Sequence, residues 1–270
     1  MGVRGLFRLL QDIRKSAKLQ PQEGLRIGVD AFCLLYLFKT NQDEFANYID
    51  TLLSLKYSLT MIMDKKAQKE KAVVVEQRKE VRAENRAEAK ELESIIDSEA
   101  FDTLDPDVKD ILTNTLLHKQ KGAWQLTSDH TQWFYDMLAS KGVPLLYAKE
   151  EADAELARGE FDCVISSDSD MIVLGCPCLL VPKKGKHSVI EHDLYRYADV
   201  KKALGFDGER LYELAFLAGC DVQPKSIVDI DTASSWLRFY GSLANVALKK
   251  KEITEEHMKL YHQLREHVWG

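Results

Sequence analysis

Three short apolar runs along the chain each lead into aspartate. The runs are residues 26–29, followed by Asp30; residues 59–63, followed by Asp64; and residues 161–165, followed after two serines by Asp168 and Asp170. Apolar runs of this length, rich in Val and Ile, are typical of buried strands in a parallel sheet. Because sites in such sheets form beyond the carboxyl ends of the strands, we expect these aspartates to meet at one edge.

The pattern between and after these runs predicts further elements of an α/β fold. Amphipathic spacing of Leu6, Leu9, Leu10 and Ile13 predicts a helix over 3–15. The helices expected next lie at about 31–39 and 43–57, which completes a βαβ unit with the first two strands. The other expected elements are strands at 143–147 and 178–181, the latter paired with 189–190, a helix at 150–158, and only helices from Asp193 onward.

The composition changes sharply after the second strand. Residues 65–90 contain nine Lys or Arg and five Glu, without Gly or Pro, which predicts a long exposed helix. Residues 91–125 are mixed, with helical pieces at 91–98 and 107–117 and a start signal at Asp105-Pro106. Ser128-Asp129 is predicted to cap the next helix, which Gly142 ends.

The overall composition of the chain argues against several classes of function. The chain has 270 residues, 45% of them hydrophobic, and a net charge of −6, so it is not a broadly basic nucleic-acid binder. A local basic strip can still contact phosphates. Five cysteines without a C-x-x-C spacing argue against a disulfide framework or a zinc site and favour a reducing, intracellular compartment. No segment is long and apolar enough for a membrane span, so no membrane partner is expected.

Seven acidic residues fall at the ends of predicted elements. Each one alone is more often a surface or capping residue, and a single D-x-D is a weak signal. Together they predict a site for divalent cations, because clustered carboxylates repel one another unless cations lie among them. The seven are Asp30, Asp64, Glu151, Asp153, Asp168, Asp170 and Asp221.

The motifs around these acids resemble the flap endonuclease and 5′-exonuclease family, the XPG-type structure-specific 5′ nucleases. The similarity extends from the first residue to about 225. It rests on Met1-Gly2-Val3-Arg4-Gly5-Leu6, Gly28-Val29-Asp30-Ala31, Met63-Asp64, Glu151-Ala152-Asp153-Ala154, Ser167-Asp168-Ser169-Asp170, Gly175-Cys176 and Ala218-Gly219-Cys220-Asp221.

The resemblance implies a fold and a domain organisation. The fold is α/β and PIN-like, with a central, mostly parallel, twisted sheet flanked by helices, a helical arch insertion and a helical C-terminal part. A single nuclease domain over 1–270 is expected. Its parts are an N-terminal region at 1–64, the arch or gateway at 65–125, an internal region at 126–221, and a degenerate helix-hairpin-helix with C-terminal helices at 222–270.

The resemblance also implies residue roles. The seven acids would bind two Mg²⁺ or Mn²⁺ ions, with Asp30, Asp64, Asp168 and Asp170 at the reacting centre. Lys71 and Arg78 would act as a catalytic basic pair. Nucleic-acid contacts are expected from Gly2, Tyr36, Lys71, Arg78 and Arg82. From the residues alone, ordinary exposed helix charges are the preferred interpretation of Lys71 and Arg78, and Tyr36 could equally be a core aromatic.

Two positions depart from the family pattern. The Gly-x-Gly hairpin that holds duplex DNA through K⁺ is replaced at 227–233, where Asp229 and Asp231 stand for the glycines. The F-D-G motif becomes Met63-Asp64-Lys65. The chain is short for the family and has no evident sliding-clamp motif, and a monomer is expected.

The leading hypothesis is a metal-dependent nuclease acting on DNA with a 5′ flap or free 5′ end, in the nucleus or another site of DNA metabolism. Because the hairpin residues are altered, a second hypothesis is a nuclease of the same fold that cleaves RNA. A haloacid-dehalogenase-like phosphatase and an inactive nucleic-acid-binding module are the remaining alternatives.

Overall fold

The computed structural model describes residues 2–39, 41–65, 72–149, 151–184 and 190–267. The chain forms two compact units. The first comprises residues 1–66 and 134–270, and the second comprises residues 67–133. The second unit is therefore inserted into the sequence of the first.

A seven-stranded sheet in the described part of the chain organises the first unit. The strands are β1 Lys15–Ala17, β2 Arg26–Asp30, β3 Ser58–Met63, β4 Leu145–Tyr147, β5 Cys163–Ile165, β6 Cys178–Lys184 and β7 Ile190–Arg196. Their order is β1-β7-β6-β5-β2-β3-β4. Strands β6, β5, β2, β3 and β4 run parallel, whereas β7 and β1 are antiparallel to their neighbours. The predicted α/β fold with a mostly parallel sheet is confirmed.

Helices pack around this sheet and continue to the C-terminal part. Among the described residues, the helices of the first unit are α1 Leu6–Leu9, α2 Ala31–Phe38, α3 Gln42–Ser54, α8 Ala152–Arg158, α9 Asp170–Val173, α10 Tyr197–Leu204, α11 Gly208–Ala218, α12 Ile230–Tyr240, α13 Leu243–Ala247 and α14 Glu255–His267, with a 3-10 turn at Gln11–Ile13. Between α3 and α8 the chain also forms α4 Ala72–Ile96, α5 Glu99–Asp102, α6 Pro106–Ala123 and α7 Ser128–Ser140. Helix α7 begins in the second unit and ends in the first.

The central strand β2 is buried on both faces of the sheet. Ile27 and Val29 are fully buried, and Gly28 between them is buried too. Each such side chain removed from water stabilises the fold by about 1.5–3 kcal/mol. This burial fixes the position of Asp30 at the end of the strand, because a shift of one residue would turn the strand's side chains to the opposite faces.

The expected helix over 3–15 is wrong in its length. Helix α1 ends at Leu9, and Lys15–Ala17 forms β1, which pairs antiparallel with β7. Leu6 and Leu10 are nevertheless buried in the core, as the amphipathic spacing predicted. A partner strand from far along the chain overrides the local helical pattern, since β1 completes the edge of the sheet.

The expectation of helices alone after Asp193 also needs correction. Strand β7 continues to Arg196 and pairs antiparallel with β6, with Lys184 opposite Ile190 and Cys178 opposite Arg196. The helical part begins at Tyr197. The sequence predicted that the strand at 178–181 pairs with residues 189–190. The pairing of β6 with β7 agrees with this, although residue 189 itself lies outside the described residues.

In the second unit, α4 extends to Ile96 and so includes residues 91–96 of the separate piece predicted at 91–98. Its partner α6 begins after Asp105, whose Oδ1 accepts a hydrogen bond from the Asp107 backbone N–H at 2.9 Å, so this start signal is confirmed. Gln120 donates to Glu93 at 2.7 Å between the two helices.

The residue that caps α7 is Thr127 instead of Ser128. Its Oγ1 accepts a hydrogen bond from the His130 N–H at 3.3 Å, and its own N–H donates to His130 Nδ1 at 3.2 Å. This reciprocal arrangement satisfies two backbone donors at once. No described helix has the length and apolar character needed to cross a membrane.

Buried His192 on β7 leads to a pH prediction. Burial lowers the pKa of His192 to about 4, and its Nε2 lies 2.7 Å from the Tyr48 hydroxyl. The unfolded chain, with a histidine pKa near 6.5, binds this proton first, so the stabilising contribution of neutral His192 is lost as the pH falls below about 6.5 toward 4.

We therefore expect the unfolding free energy of the wild type, measured against that of His192→Gln, to fall by about 2 kcal/mol between pH 7 and pH 5. Urea unfolding at both pH values measures this difference, in which the other titrating groups cancel. Exposed His118→Gln is the matched control and should follow the wild type. Parallel pH profiles for wild type and His192→Gln would contradict the assignment.

Candidate active site

Three neighbouring parallel strands deliver aspartates to the same edge of the sheet. Asp30 ends β2, Asp64 follows β3, and Asp168 lies three residues beyond β5. The order β5-β2-β3 makes these strands adjacent. The sequence prediction that at least three acids would end strands of one sheet agrees with this topology.

Asp30 lies at the centre of this edge. Burial raises the pKa of its carboxyl to about 6, and the charges of Asp168 and Asp64 add to the rise. The three carboxylates therefore interact electrostatically across the strand ends. A cation placed among them would favour the ionised form of Asp30.

Hydrogen bonds fix the orientation of Asp30 and connect it to Asp168. Asp30 is the N-cap of α2, where its Oδ1 accepts from the Cys33 N–H at 3.1 Å. Its Oδ2 accepts from the Ser166 hydroxyl at 2.9 Å. The Ser166 oxygen in turn accepts from the Asp168 N–H at 3.1 Å. Ser166 was not among the predicted residues, although its position between a strand end and the D-x-D could have indicated it.

Asp64 is held against the beginning of α8. Its Oδ1 accepts from the Ala152 N–H at 2.7 Å. Ala152 lies between Glu151 and Asp153, so both acids start a helix anchored to Asp64. Glu151 occupies the N-cap position without making a side-chain capping bond. Glu151 therefore does not cap the helix through a side-chain hydrogen bond.

The N-terminal segment lies against the D-x-D loop. Gly2 has a φ of +70°, and a Cβ built on it would lie 2.2 Å from Asp168 Oδ1 and 2.4 Å from Ser169 Oγ. The Arg4 N–H donates to the Gly219 carbonyl at 2.9 Å, next to the turn that carries Asp221. Asp168 Oδ1 also accepts from the Asp170 N–H at 3.0 Å.

The charges of Asp170 and Asp221 both act on Cys220. Burial raises the pKa of the Cys220 thiol to about 12, and the charge of Asp170, followed by that of Asp221, adds to the rise. Asp221 is itself buried. Asp64 and Asp168 thus act on Asp30, Asp170 and Asp221 act on Cys220, and all seven predicted acids belong to the first unit.

The donor chemistry of this edge fits a hard divalent cation. All the predicted ligands are carboxylates, and Mg²⁺ uses few carboxylates per ion while it keeps several waters. After burial, the charges of Asp168 and Asp64 contribute to the raised pKa of Asp30, so negative charge is concentrated at this edge. Within the described residues, no group of three or more His, Cys, Asp or Glu side chains is placed so that it could hold a metal ion.

The predicted basic and aromatic residues have different positions. Tyr36 lies on α2 with 42% of its side chain exposed, so it is not a core aromatic. Arg78 and Arg82 lie on α4 in the second unit. Lys71 lies outside the described residues.

The two aspartates of the altered hairpin have structural partners. Asp229 is the N-cap of α12, where its Oδ1 accepts from the N–H groups of Asp231 at 3.1 Å and Thr232 at 3.0 Å. Asp231 forms an ion pair with Arg8 at 2.6 Å. Both carboxylates therefore stabilise the packing of α12 and its neighbourhood.

Comparisons with known proteins agree with this geometry. The XPG I-region family matches residues 142–221, which include α8, β5, the D-x-D and Asp221. Flap endonuclease 1 of Sulfurisphaera tokodaii is 24% identical over 285 residues, covering 92% of this chain and 77% of that protein. Exonuclease 1 of Xenopus laevis is 25% identical over 246 residues, covering 83% of this chain and 31% of that protein.

Solved structures share the fold. The catalytic core of Rad2 in complex with DNA substrate has a TM-score of 0.63 at 18% identity, covering 98% of this chain and 80% of that chain. Flap endonuclease-1 from Methanococcus jannaschii has a TM-score of 0.62 at 15% identity, covering 97% and 83%. The chain therefore shares the fold of these two proteins. Its residues 142–221 match the XPG I-region, and most of its length is similar to flap endonucleases.

Proposed function

We propose that this chain is a metal-dependent 5′ nuclease that hydrolyses phosphodiester bonds in DNA with a 5′ flap or a free 5′ end. The observation that carries the proposal is the electrostatic contact of Asp30 with Asp64 and Asp168 across three adjacent strand ends. The names of the relatives, flap endonuclease and exonuclease, support the substrate and the reaction. A monomer acting in DNA metabolism inside the cell, in the nucleus or elsewhere, is part of the proposal.

Two Mg²⁺ or Mn²⁺ ions would supply an activated water and a clamp for the scissile phosphate. The residues that would hold them are Asp30, Asp64, Glu151, Asp153, Asp168, Asp170 and Asp221. The chain's own contribution is to keep these carboxylates oriented. The Ser166 hydroxyl fixes Asp30, and the Ala152 N–H fixes Asp64, so neither has to reorganise when a cation arrives.

Substrate contacts are assigned to five residues as part of the same proposal. Lys71, Arg78 and Arg82 would neutralise phosphates, and the first two would stabilise charge developing on the scissile group. The exposed ring of Tyr36, on the helix that begins after Asp30, would stack on a base. Gly2 would let the backbone approach the substrate beside Asp168.

Helix α12 favours a second candidate, a nuclease of the same fold that acts on RNA. The N–H groups of Asp231 and Thr232, which could otherwise meet a phosphate, are bonded to the Asp229 carboxylate. A helix start that carries its own anion repels the phosphates of a duplex. We therefore propose that duplex DNA is held weakly at this helix. Digestion of matched single-stranded and flapped RNA and DNA compares the two candidates.

The test of the function uses the purified chain with 5′-flap, 3′-flap, nicked and single-stranded DNA. With Mg²⁺ or Mn²⁺ we expect cleavage of the substrates that have a 5′ flap or 5′ end, and with EDTA we expect none, because the carboxylates alone do not activate water. Restoring activity by adding metal after EDTA is the control for intact protein. Tight binding without cleavage under either metal would contradict the proposal and favour a binding module.

A further inference from the structure

Two cysteines lie side by side on adjacent strands of the sheet. Cys163 begins β5 and Cys178 begins β6. The parallel register pairs the next residues, Val164 and Leu179, so the two cysteines are also neighbours. Their Sγ atoms share a hydrogen bond of 2.9 Å.

Cys163 differs from the other cysteines in its surroundings. The hydrogen bond with Cys178 lowers the pKa of the Cys163 thiol, and the charge of Arg196 lowers it further, while burial and the charge of Asp162 act in the opposite direction. The Cys163 side chain is only partly buried. Burial instead raises the pKa of each remaining cysteine to about 12, and these are Cys33, Cys176 and Cys220.

We propose that Cys163 and Cys178 form a reversible disulfide when the protein meets a hydroperoxide. All five cysteines are described and are free thiols in the structure, so the proposed state is a second redox form. A disulfide needs an S–S bond of about 2.05 Å, which requires the sulfurs to approach by roughly 0.9 Å. The proposal concerns a modification site and does not depend on the nuclease activity.

The chemistry balances with hydrogen peroxide as the oxidant. The Cys163 thiolate attacks one peroxide oxygen, which breaks the O–O bond, forms a sulfenic acid and releases hydroxide. The Cys178 sulfur then attacks the sulfenic sulfur, the S–S bond forms, and hydroxide leaves. The two thiol protons convert both hydroxides to water. In sum, two thiols and one peroxide give one disulfide and two waters, and a dithiol reverses the change.

The cross-link would close the segment from 163 to 178, which contains the D-x-D and helix α9. Both cysteines lie at the amino ends of their strands, whereas Asp168 lies beyond the carboxyl end of β5. The link should therefore leave the acidic edge in place. Because it restricts the unfolded chain, it should raise the midpoint of thermal unfolding by about 5 °C.

The experiment treats the full chain with a small excess of hydrogen peroxide, removes the oxidant, and alkylates under denaturing conditions. We expect the mass to fall by two hydrogen atoms, three of the five thiols to remain alkylatable, and peptide mapping to join Cys163 to Cys178. Dithiothreitol should restore five. Neighbouring Cys176→Ser is the matched control and should cross-link like the wild type.

Variants distinguish a specific disulfide between Cys163 and Cys178 from general oxidation of the protein. Cys178→Ser should give no disulfide and should accumulate a sulfenic acid at Cys163, which dimedone traps. Peptide mapping of the wild type tests the pair independently of how well any variant folds. Retention of all five thiols at a peroxide dose that oxidises exposed methionine would overturn the proposal. So would a cross-link that involves Cys176 or joins two molecules.

Discussion

Replacing Asp168 with asparagine should lower the rate of DNA cleavage by at least about 100-fold in saturating Mg²⁺. Losing a residue that only orients a metal ligand already costs 10–100-fold, so loss of a proposed ligand should cost more. Asp170→Asn is expected to behave in the same way. Single-turnover cleavage of a 5′-flap substrate measures the effect without interference from product release.

The midpoint of thermal unfolding distinguishes loss of a proposed metal ligand from misfolding of the variant. Since the charge of Asp168 adds to the raised pKa of Asp30, its removal relieves repulsion, and the unfolding midpoint in EDTA should stay the same or rise. The matched control is Asp162→Asn, an exposed acid at the other end of β5 that contacts Arg26. It should keep its activity within about twofold. If Asp168→Asn cleaved DNA at the wild-type rate, the acidic edge would have no part in the mechanism.

A single methyl group at Gly2 should have the second largest effect. In Gly2→Ala the new Cβ would meet Asp168 Oδ1 at 2.2 Å and the Ser169 N–H nitrogen at 2.8 Å, so either the carboxylate or the N-terminal segment must move. Misplacement of a reacting group by about 1 Å can lower a rate 100-fold, and we expect a loss of at least about 10-fold in kcat/KM.

Gly24→Ala provides the control for backbone strain. Gly24 has a φ of +76°, close to that of Gly2, but nothing lies within 4 Å of the position that a Cβ would take there. Both variants should lose similar stability from the left-handed backbone, about 1–2 kcal/mol. Only Gly2→Ala should lose cleavage, measured on one 5′-flap substrate. Equal activity losses in the two variants would show that contact with Asp168 is unimportant.

The part of the site that lies at strand ends could be predicted from the sequence. Strands β2, β3 and β5 are short apolar runs with aspartates behind them, and parallel pairing brings their carboxyl ends together. Local signals sufficed here because burial on both faces leaves little choice of structure. The D-x-D and the acids of α8 followed from the same pattern.

The parts that depend on distant partners could not be predicted. Strand β1 exists because β7 pairs with it, and nothing within residues 15–17 indicates this. Ser166 joins Asp30 to Asp168. Its hydroxyl donates to Asp30, 136 residues away in the sequence, and accepts from the N–H of Asp168, two residues away. Thr127 and Ser128 are both good capping residues, and the reciprocal bond with His130 decided between them. For Lys71, Arg78 and Arg82 the roles stay predictions.

The insertion of residues 67–133, which begins after β3 and ends within α7, has a consequence for how this protein can change. The entropy of closing a loop grows only slowly with its length, by about 0.6 kcal/mol for each doubling. The inserted unit can therefore lengthen, shrink or be exchanged while strand pairing in the sheet is kept. The inserted unit and the acidic edge of the sheet are encoded in separate stretches of the chain, so the first can evolve without endangering the second.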